Sequence, residues 1–150
     1  MITYAVEPWA AVKDAAQPLL QRHWEEVALD RDKIPLALDL ALYDALAGAG
    51  VLWVVTARES GDLVGYYTVL VQKHMHFSTT LTAFTDLIFL EQTHRKGRAG
   101  QRLIEAAEAM LRGLGVKQIL TGTKQKPDLG PLLRRMGYGL HEVSYSKLIG

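Results

Sequence analysis

The chain has no cysteine among its 150 residues, which excludes disulfides, thiolate metal sites and a cysteine nucleophile. It has no asparagine either. No run approaches the roughly 20 apolar residues of a membrane span, and Met1–Val6 lacks the basic start and apolar core of a secretory leader. A cytoplasmic protein with no membrane partner is the resulting expectation. Blocks of like charge are missing, and the formal net charge is only +1. That excludes a globally basic nucleic-acid binder and leaves room for a local basic site. With no internal repeat, low-complexity tract or linker, residues 1–150 read as one domain, long enough to bury most of its apolar surface.

What is present is a composition 49% hydrophobic and 22% charged, ordinary for a folded protein. Ile2–Val6 reads as a short first strand. Residues 9–29 carry Trp9, Val12, Ala16, Leu19, Leu20, Trp24, Val27 and Ala28 near helical spacing, with Pro18 marking a start or a kink. Ile34-Pro35 breaks that pattern, and Asp39 is placed to cap a second helix ending near Gly48. Val51–Thr56 and Leu63–Gln72 flank the turn Ser60-Gly61-Asp62 as a hairpin. A polar connector over Lys73–Thr80 leads to a long strand at Leu81–Leu90. From Ala99 the spacing is helical again, with Leu103, Ala107, Met110, Leu111 and Leu114 on one face and Gly113 and Gly115 at its end. Val116–Thr121 is read as a strand, Asp128–Met136 as a short helix and Tyr138–Leu148 as a closing strand. The order β-α-α-β-β-β-α-β-α-β predicts an α/β protein with a mixed sheet lined by helices.

The most informative stretch is His94-Arg95-Lys96-Gly97-Arg98-Ala99-Gly100-Gln101-Arg102-Leu103, between an apolar strand and an amphipathic helix. Helix-start N–H groups are unpaired, and the helix dipole adds partial positive charge there. Gly97, Ala99 and Gly100 have little side chain to keep a ligand off that backbone, so a phosphate or pyrophosphate can be held.

This element order, with a phosphate-cradling turn between the fourth strand and the third helix, resembles the GNAT acyltransferase superfamily. The chain is also similar to small GNAT proteins encoded by phages and prophages. The family signature is Arg or Gln, two residues, Gly, one residue, then Gly or Ala. Two registers fit it. From His94, Gly97 and Ala99 fall correctly and His replaces Arg or Gln; from Arg95, Gly100 and the pair Leu103-Ile104 fall well and Arg98 replaces the first Gly. The helix phase favours the Arg95 register. Met136-Gly137-Tyr138 is similar to the family's Leu-Gly-Phe segment.

The resemblance implies acetyl transfer from acetyl-coenzyme A to a primary amine, with no metal. The turn's N–H groups over Arg95, Lys96, Gly97, Arg98, Ala99, Gly100 and Gln101 would hold the pyrophosphate, and Arg95, Lys96, Arg98 or Arg102 the outer phosphates. Pantetheine amides would pair with the strand edge at Ile88, Phe89 and Leu90, with a backbone N–H near Leu90 polarising the thioester carbonyl. Many relatives place an Asn after the fifth strand; lacking one, this chain offers Lys124 there.

Transfer to an amine needs a neutral nucleophile, a polarised carbonyl and a protonated leaving thiolate. Asp86, on the fourth strand with the even-numbered Phe84, Ile88 and Leu90, is the leading base, and Glu91 at the strand end the second. Many relatives carry a Tyr acid four residues before the closing Gly, where this chain has Leu133. Tyr145 on the last strand is the substitute, with core packing as its competing reading. Glu25 or Glu26 on the first helix is a candidate contact for a cationic acceptor. His74 and His76 read as acceptor-site lining or plain surface rather than a metal pair.

The leading expectation is a direct, ternary-complex N-acetyltransferase acting on a small-molecule or protein amine, with a homodimer through the last-strand edge in view. The rival is a coenzyme A-binding sensor or interaction module of the same fold without turnover. A third reading has the Arg-Lys-Gly-Arg turn contacting nucleic-acid phosphate.

Overall fold

Strand alternation and two amphipathic helix faces sort the apolar residues onto the two sides of one sheet. In the computed structural model, which describes residues 1–150, the elements are β1 (Ile2–Glu7), α1 (Trp9–Val27), α2 (Leu40–Gly48), β2 (Leu52–Glu59), β3 (Asp62–His74), β4 (Phe77–Leu90), α3 (Ala99–Gly113), β5 (Gln118–Leu120) and α4 (Gly130–Arg135). A 3₁₀ turn at Gln92–His94 follows β4. The sheet order is β1-β2-β3-β4-β5. Its first four strands are antiparallel, and β5 runs parallel to β4.

Helices α1 and α2 cover one face. Trp9, Val12, Ala16, Leu19 and Leu20 pack there with Leu52, Val54, Tyr66 and Phe89. Leu103, Ile104, Ala107 and Leu111 of α3 and Leu133 of α4 cover the other, against Val55, Tyr67, Val69, Ala83 and Leu90. Asp39 caps α2 as expected, its Oδ1 accepting from the Leu42 N–H at 2.9 Å. Ser60 and Gly61 both take positive φ, 51° and 86°, the geometry of a tight hairpin turn.

Four expectations are corrected. Pro18 lies inside the continuous α1, and the helix begins after Pro8, whose missing N–H costs nothing at a start. The connector over 73–80 is the tip of a long β3–β4 hairpin, with His74 paired to Phe77. Its polar residues alternate on a projection whose faces are both wet. Residues 138–150 carry no regular structure, so the closing strand is not formed; β5 is only three residues long and offers it little edge. The even-numbered residues of β4 do not share a face. One step of β3 (Thr68 to Val69) is matched by two of β4 (Leu87 to Thr85), leaving Asp86 as the bulged extra residue.

Candidate functional site

Strand β5 pairs with β4 only from Thr82 to Phe84. The last link across that seam is a hydroxyl contact, Thr85 Oγ1 to Thr121 Oγ1 at 2.7 Å. Beyond it, residues 86–90 of β4 have no strand beside them on the β5 side. Phe89 and Leu90 bury their side chains to 5% and 6% exposure, one in each core cluster. Along the open edge at Ile88, Phe89 and Leu90, Phe89 turns its main-chain groups to β3 and Ile88 and Leu90 turn theirs outward, toward a ligand strand.

The bulge decides where Asp86 points. Its Oδ2 accepts from Tyr43 Oη on α2 at 2.5 Å and from Thr68 Oγ1 on β3 at 2.9 Å. The same Thr68 hydroxyl accepts the Leu87 N–H at 3.1 Å, satisfying an amide that the bulge takes off the ladder. Burial, reinforced by the bond to Asp86, pushes the Tyr43 phenol above its ordinary range, so it stays a donor. Both hydroxyls land on one carboxylate oxygen. Oδ1 has no protein partner, and the residue is exposed. Asp86 thus lies on the α1/α2 side, while Ile88 and Leu90 pack toward α3.

Next to it, His23 of α1 stacks on Phe89, ring centroids 4.9 Å apart at 24°. Its Nδ1 lies 2.9 Å from the Tyr66 hydroxyl. Burial lowers the imidazole's proton affinity most. Glu26 and Asp86 oppose that shift, and Arg95 and Lys124 reinforce it. Those four charges belong to α1, the β4–α3 turn, β4 and the segment after β5. Tyr43, Thr68 and Tyr66 went unnoticed in the sequence because no local pattern ties them to Asp86; only strand register and helix packing do.

The turn after β4 is held by ion pairs. Arg95 forks onto Glu26, Nη1 to Oε1 at 2.7 Å and Nη2 to Oε2 at 2.8 Å, and its Nε donates to the Leu90 carbonyl at 2.6 Å. Its guanidinium lies 5.5 Å from the Phe89 ring centroid. Arg22 pairs with Glu91. Arg95 and Glu91 therefore clamp α1 to the turn, and Glu26, expected at an acceptor, is bound to Arg95. Glu25 accepts from Gln21 at 2.9 Å.

Gly97 has φ 57°, the left-handed conformation a side chain disfavours, and falls in the His94 register. Leu103 and Ile104, buried to 0% and 1% exposure, support the Arg95 register. Gly100 faces α4, where an added Cβ would meet Leu132 Cδ2 at 3.8 Å. Gln101 donates to Glu105 Oε1 at 2.7 Å, and Arg98 to the same atom at 3.3 Å. Lys96, Arg98, Ala99 and Arg102 line an opening of about 230 Å³ with Ile2 and Tyr4; Lys96 and Arg102 make no ion pair.

Other candidates are not gathered here. Tyr145 is 94% exposed on the irregular C-terminal segment, so the strand that was to carry it to the site is missing. Leu133 is buried to 7% exposure in the α3-side core and donates no proton. Its carbonyl accepts the Tyr138 N–H at 2.9 Å, and Gly137 has φ 92°. Gly137 of the Met-Gly-Tyr segment is thus the left-handed cap that ends α4. His74 stacks on Phe84 at the hairpin, 5.9 Å between centroids. No group of three or more His, Cys, Asp or Glu is placed to hold a metal, and no helix is long and apolar enough to cross a membrane. Lys124 is exposed in the segment after β5.

A mixed five-stranded sheet that parts between β4 and β5, with a small-residue turn opening α3 beside the gap, defines an acyltransferase architecture. The family model described as acetyltransferase (GNAT) family matches residues 9–138, and the chain belongs to that family. Solved structures share the fold along the whole chain. A ribosomal-protein-alanine N-acetyltransferase from Brucella melitensis biovar Abortus 2308 is 18% identical, with a TM-score of 0.74 and 100% of both chains covered. An aminoglycoside acetyltransferase from an uncultured soil metagenomic sample, in complex with sisomicin, is 14% identical with a TM-score of 0.76, covering 99% of this chain and 97% of that one. A predicted acetyltransferase with acetyl-CoA from Clostridium acetobutylicum is 10% identical with a TM-score of 0.73, covering 99% and 96%. No curated protein matches the chain.

Proposed function

We propose that the protein is an N-acetyltransferase that moves an acetyl group directly from acetyl-coenzyme A to a primary amine in a ternary complex. Residues 1–150 are read as one domain, working in the cytoplasm. The observation that carries this is Asp86: an exposed carboxylate with one oxygen anchored and one free, where β4 parts from β5.

The open β4 edge over Ile88, Phe89 and Leu90, with the outward main-chain groups of Ile88 and the Leu90 N–H, fits the amide-bearing pantetheine arm; the Leu90 carbonyl is held by Arg95 Nε. The backbone N–H groups of Gly97 and Gly100 fit the pyrophosphate, that of Ala99 being donated to the Lys96 carbonyl at 3.2 Å, and Lys96, Arg98 and Arg102 fit an outer phosphate. Lys124, exposed in the segment after β5, is the remaining cation assigned to a coenzyme A phosphate. An N–H of the open β4 edge polarises the thioester carbonyl. Asp86 Oδ1 meets the acceptor's amine and takes a proton from it, directly or through water. The acceptor enters from the α1/α2 side; amines are the substrate class suggested by the names of the N-acetyltransferase and aminoglycoside-acetyltransferase neighbours. A second reading, a coenzyme A-binding module without turnover, draws on the buried Leu133, which leaves the usual acid position apolar.

The test separates binding from chemistry. Acetyl-coenzyme A at about a hundred times its Kd should stabilise the native state by about 2.7 kcal/mol, read as a rise in melting temperature. Asp86→Asn should keep that rise and lower thiol release with an amine panel about 10²–10⁴-fold. No thermal shift would remove the donor assignment. A full shift without amine-dependent thiol release would favour the binding module.

A further inference from the structure

His23 has no role in the reading above, yet its setting is that of a working imidazole. Its Nδ1 is tied to the Tyr66 hydroxyl at 2.9 Å, and Tyr66 is 1% exposed with no other side-chain partner. The ring lies flat on Phe89, which sits in β4 between Ile88 and Leu90 of the open edge. Nε2 makes no hydrogen bond, and the residue is only partly covered. In the tautomer that donates Nδ1–H to the Tyr66 oxygen, Nε2 keeps its lone pair, and this anchored, partly exposed imidazole is a base with a defined direction.

The chemistry has a place for it. Two protons leave the acceptor's nitrogen in each transfer, one before attack and one as the amide forms, and a single carboxylate holds one at a time. Resting on the acetyl-transfer reading, we propose that His23, aligned by Tyr66, is a second base that discharges the acceptor's ammonium through Nε2 and an intervening water. The ammonium gives its first proton to His23, and the freed lone pair forms the C–N bond at the thioester carbonyl. Asp86 takes the second proton, and the C–S bond breaks with its electron pair leaving on sulfur. The thiolate receives the proton held by Asp86, and His23 releases its own to solvent, so one proton is produced per ammonium acetylated. Tyr66 from β3 touches the ring, and the charges that act on it are Glu26 from its own helix, Arg95 from the turn, Asp86 from β4 and Lys124 from after β5. Tyr66 is the positioning residue and touches no substrate.

Two nucleophiles test this: a mixture of a polyamine, an aminoglycoside and an N-terminal alanyl peptide, all charged, and hydroxylamine, which is uncharged at neutral pH. Thiol release is followed between about pH 5 and pH 8 for the unmodified protein, His23→Gln and Tyr66→Phe, with the acetyl-coenzyme A thermal shift beside each. The expected result is a loss of about 10²-fold or more for His23→Gln with the charged amines, and little loss with hydroxylamine. The acidic limb of the unmodified protein's kcat/KM profile should vanish in His23→Gln and shift in Tyr66→Phe. Equal losses with both nucleophiles and an unchanged pH profile would make His23 structural and overturn the proposal. So would His23→Gln activity matching the unmodified protein, or thiol release with hydroxylamine alone. Absence of release with either nucleophile, with the thermal shift intact, would overturn the transfer reading as well, whereas the other outcomes leave that reading standing.

Discussion

A single extra residue in β4 determines what Asp86 can do. In a regular strand its side chain would follow the face of Ile88 and Leu90 into the α3-side core; the bulge turns it instead toward α2, where Tyr43 and Thr68 grip one oxygen. Tyr43→Phe removes one of the two donors without removing the aromatic ring, which packs 4.9 Å from Trp9. It should lower thiol release about tenfold, the effect of a loss of about 1.4 kcal/mol in the transition state, while the acetyl-coenzyme A thermal shift is kept. An equal fall in thermal stability and in activity would mean that the hydroxyl acts only in packing. Asp86 stood out in the sequence because an acid within an apolar run needs a reason. Its partners did not, since Tyr43 is 43 positions away and reaches it only through tertiary packing.

At the scale of elements, the β4–α3 turn and the β3–β4 pairing carry the site, and glycines test each. At Gly100 an added Cβ makes only ordinary contact with Leu132, 3.8 Å away, so Gly100→Ala should retain the acetyl-coenzyme A thermal shift. Gly100→Glu, which brings bulk and negative charge to the same helix start, should abolish it. If both variants keep the shift, the pyrophosphate lies elsewhere. Gly65 is different. A Cβ there would sit 2.7 Å from the Phe89 carbonyl oxygen and 3.2 Å from Leu90 Cα, backbone atoms that cannot step aside. Gly65→Ala should cost about 1–3 kcal/mol by overpacking, measured as a lower urea midpoint, and should weaken donor binding because it displaces the open edge. The turn's small residues and the following helix phase were readable beforehand. The commitment of Arg95 to Glu26 was not, because a cation's partner is chosen by whatever helix lies above it.

For the molecule as a whole, α1 is joined to the β4–α3 turn through Arg95–Glu26 and Arg22–Glu91 and through His23 on Phe89. Acid should loosen that junction. His23 is held below its ordinary proton affinity, chiefly by burial, so the unfolded chain takes up a proton that the native state resists. Its contribution is therefore whole above about pH 6.5 and shrinks as the pH falls from there. Glu26 is also held low, first by its hydrogen bonds from Arg95, and its contribution is lost at still lower pH, below the ordinary carboxylate range. The melting temperature should thus fall between about pH 7 and pH 5.5, and His23→Gln should flatten that fall; a variant as pH-sensitive as the unmodified protein would exclude His23 as the cause. Read along the chain alone, periodicity, turn residues and helix caps were enough to establish the element order up to α4, the small-residue turn before α3 and an acid on β4, because these depend on neighbours within a few positions. The closing strand read over Tyr138–Leu148 is not formed: strand propensity is a local preference, and a strand also needs an edge to pair with, which the short β5 does not supply. Folding in three dimensions decided the bulge, the parting of β4 from β5, the His23–Tyr66 pair and the clamp on the turn. Each depends on register and packing between segments far apart in sequence, where no local pattern carries the information.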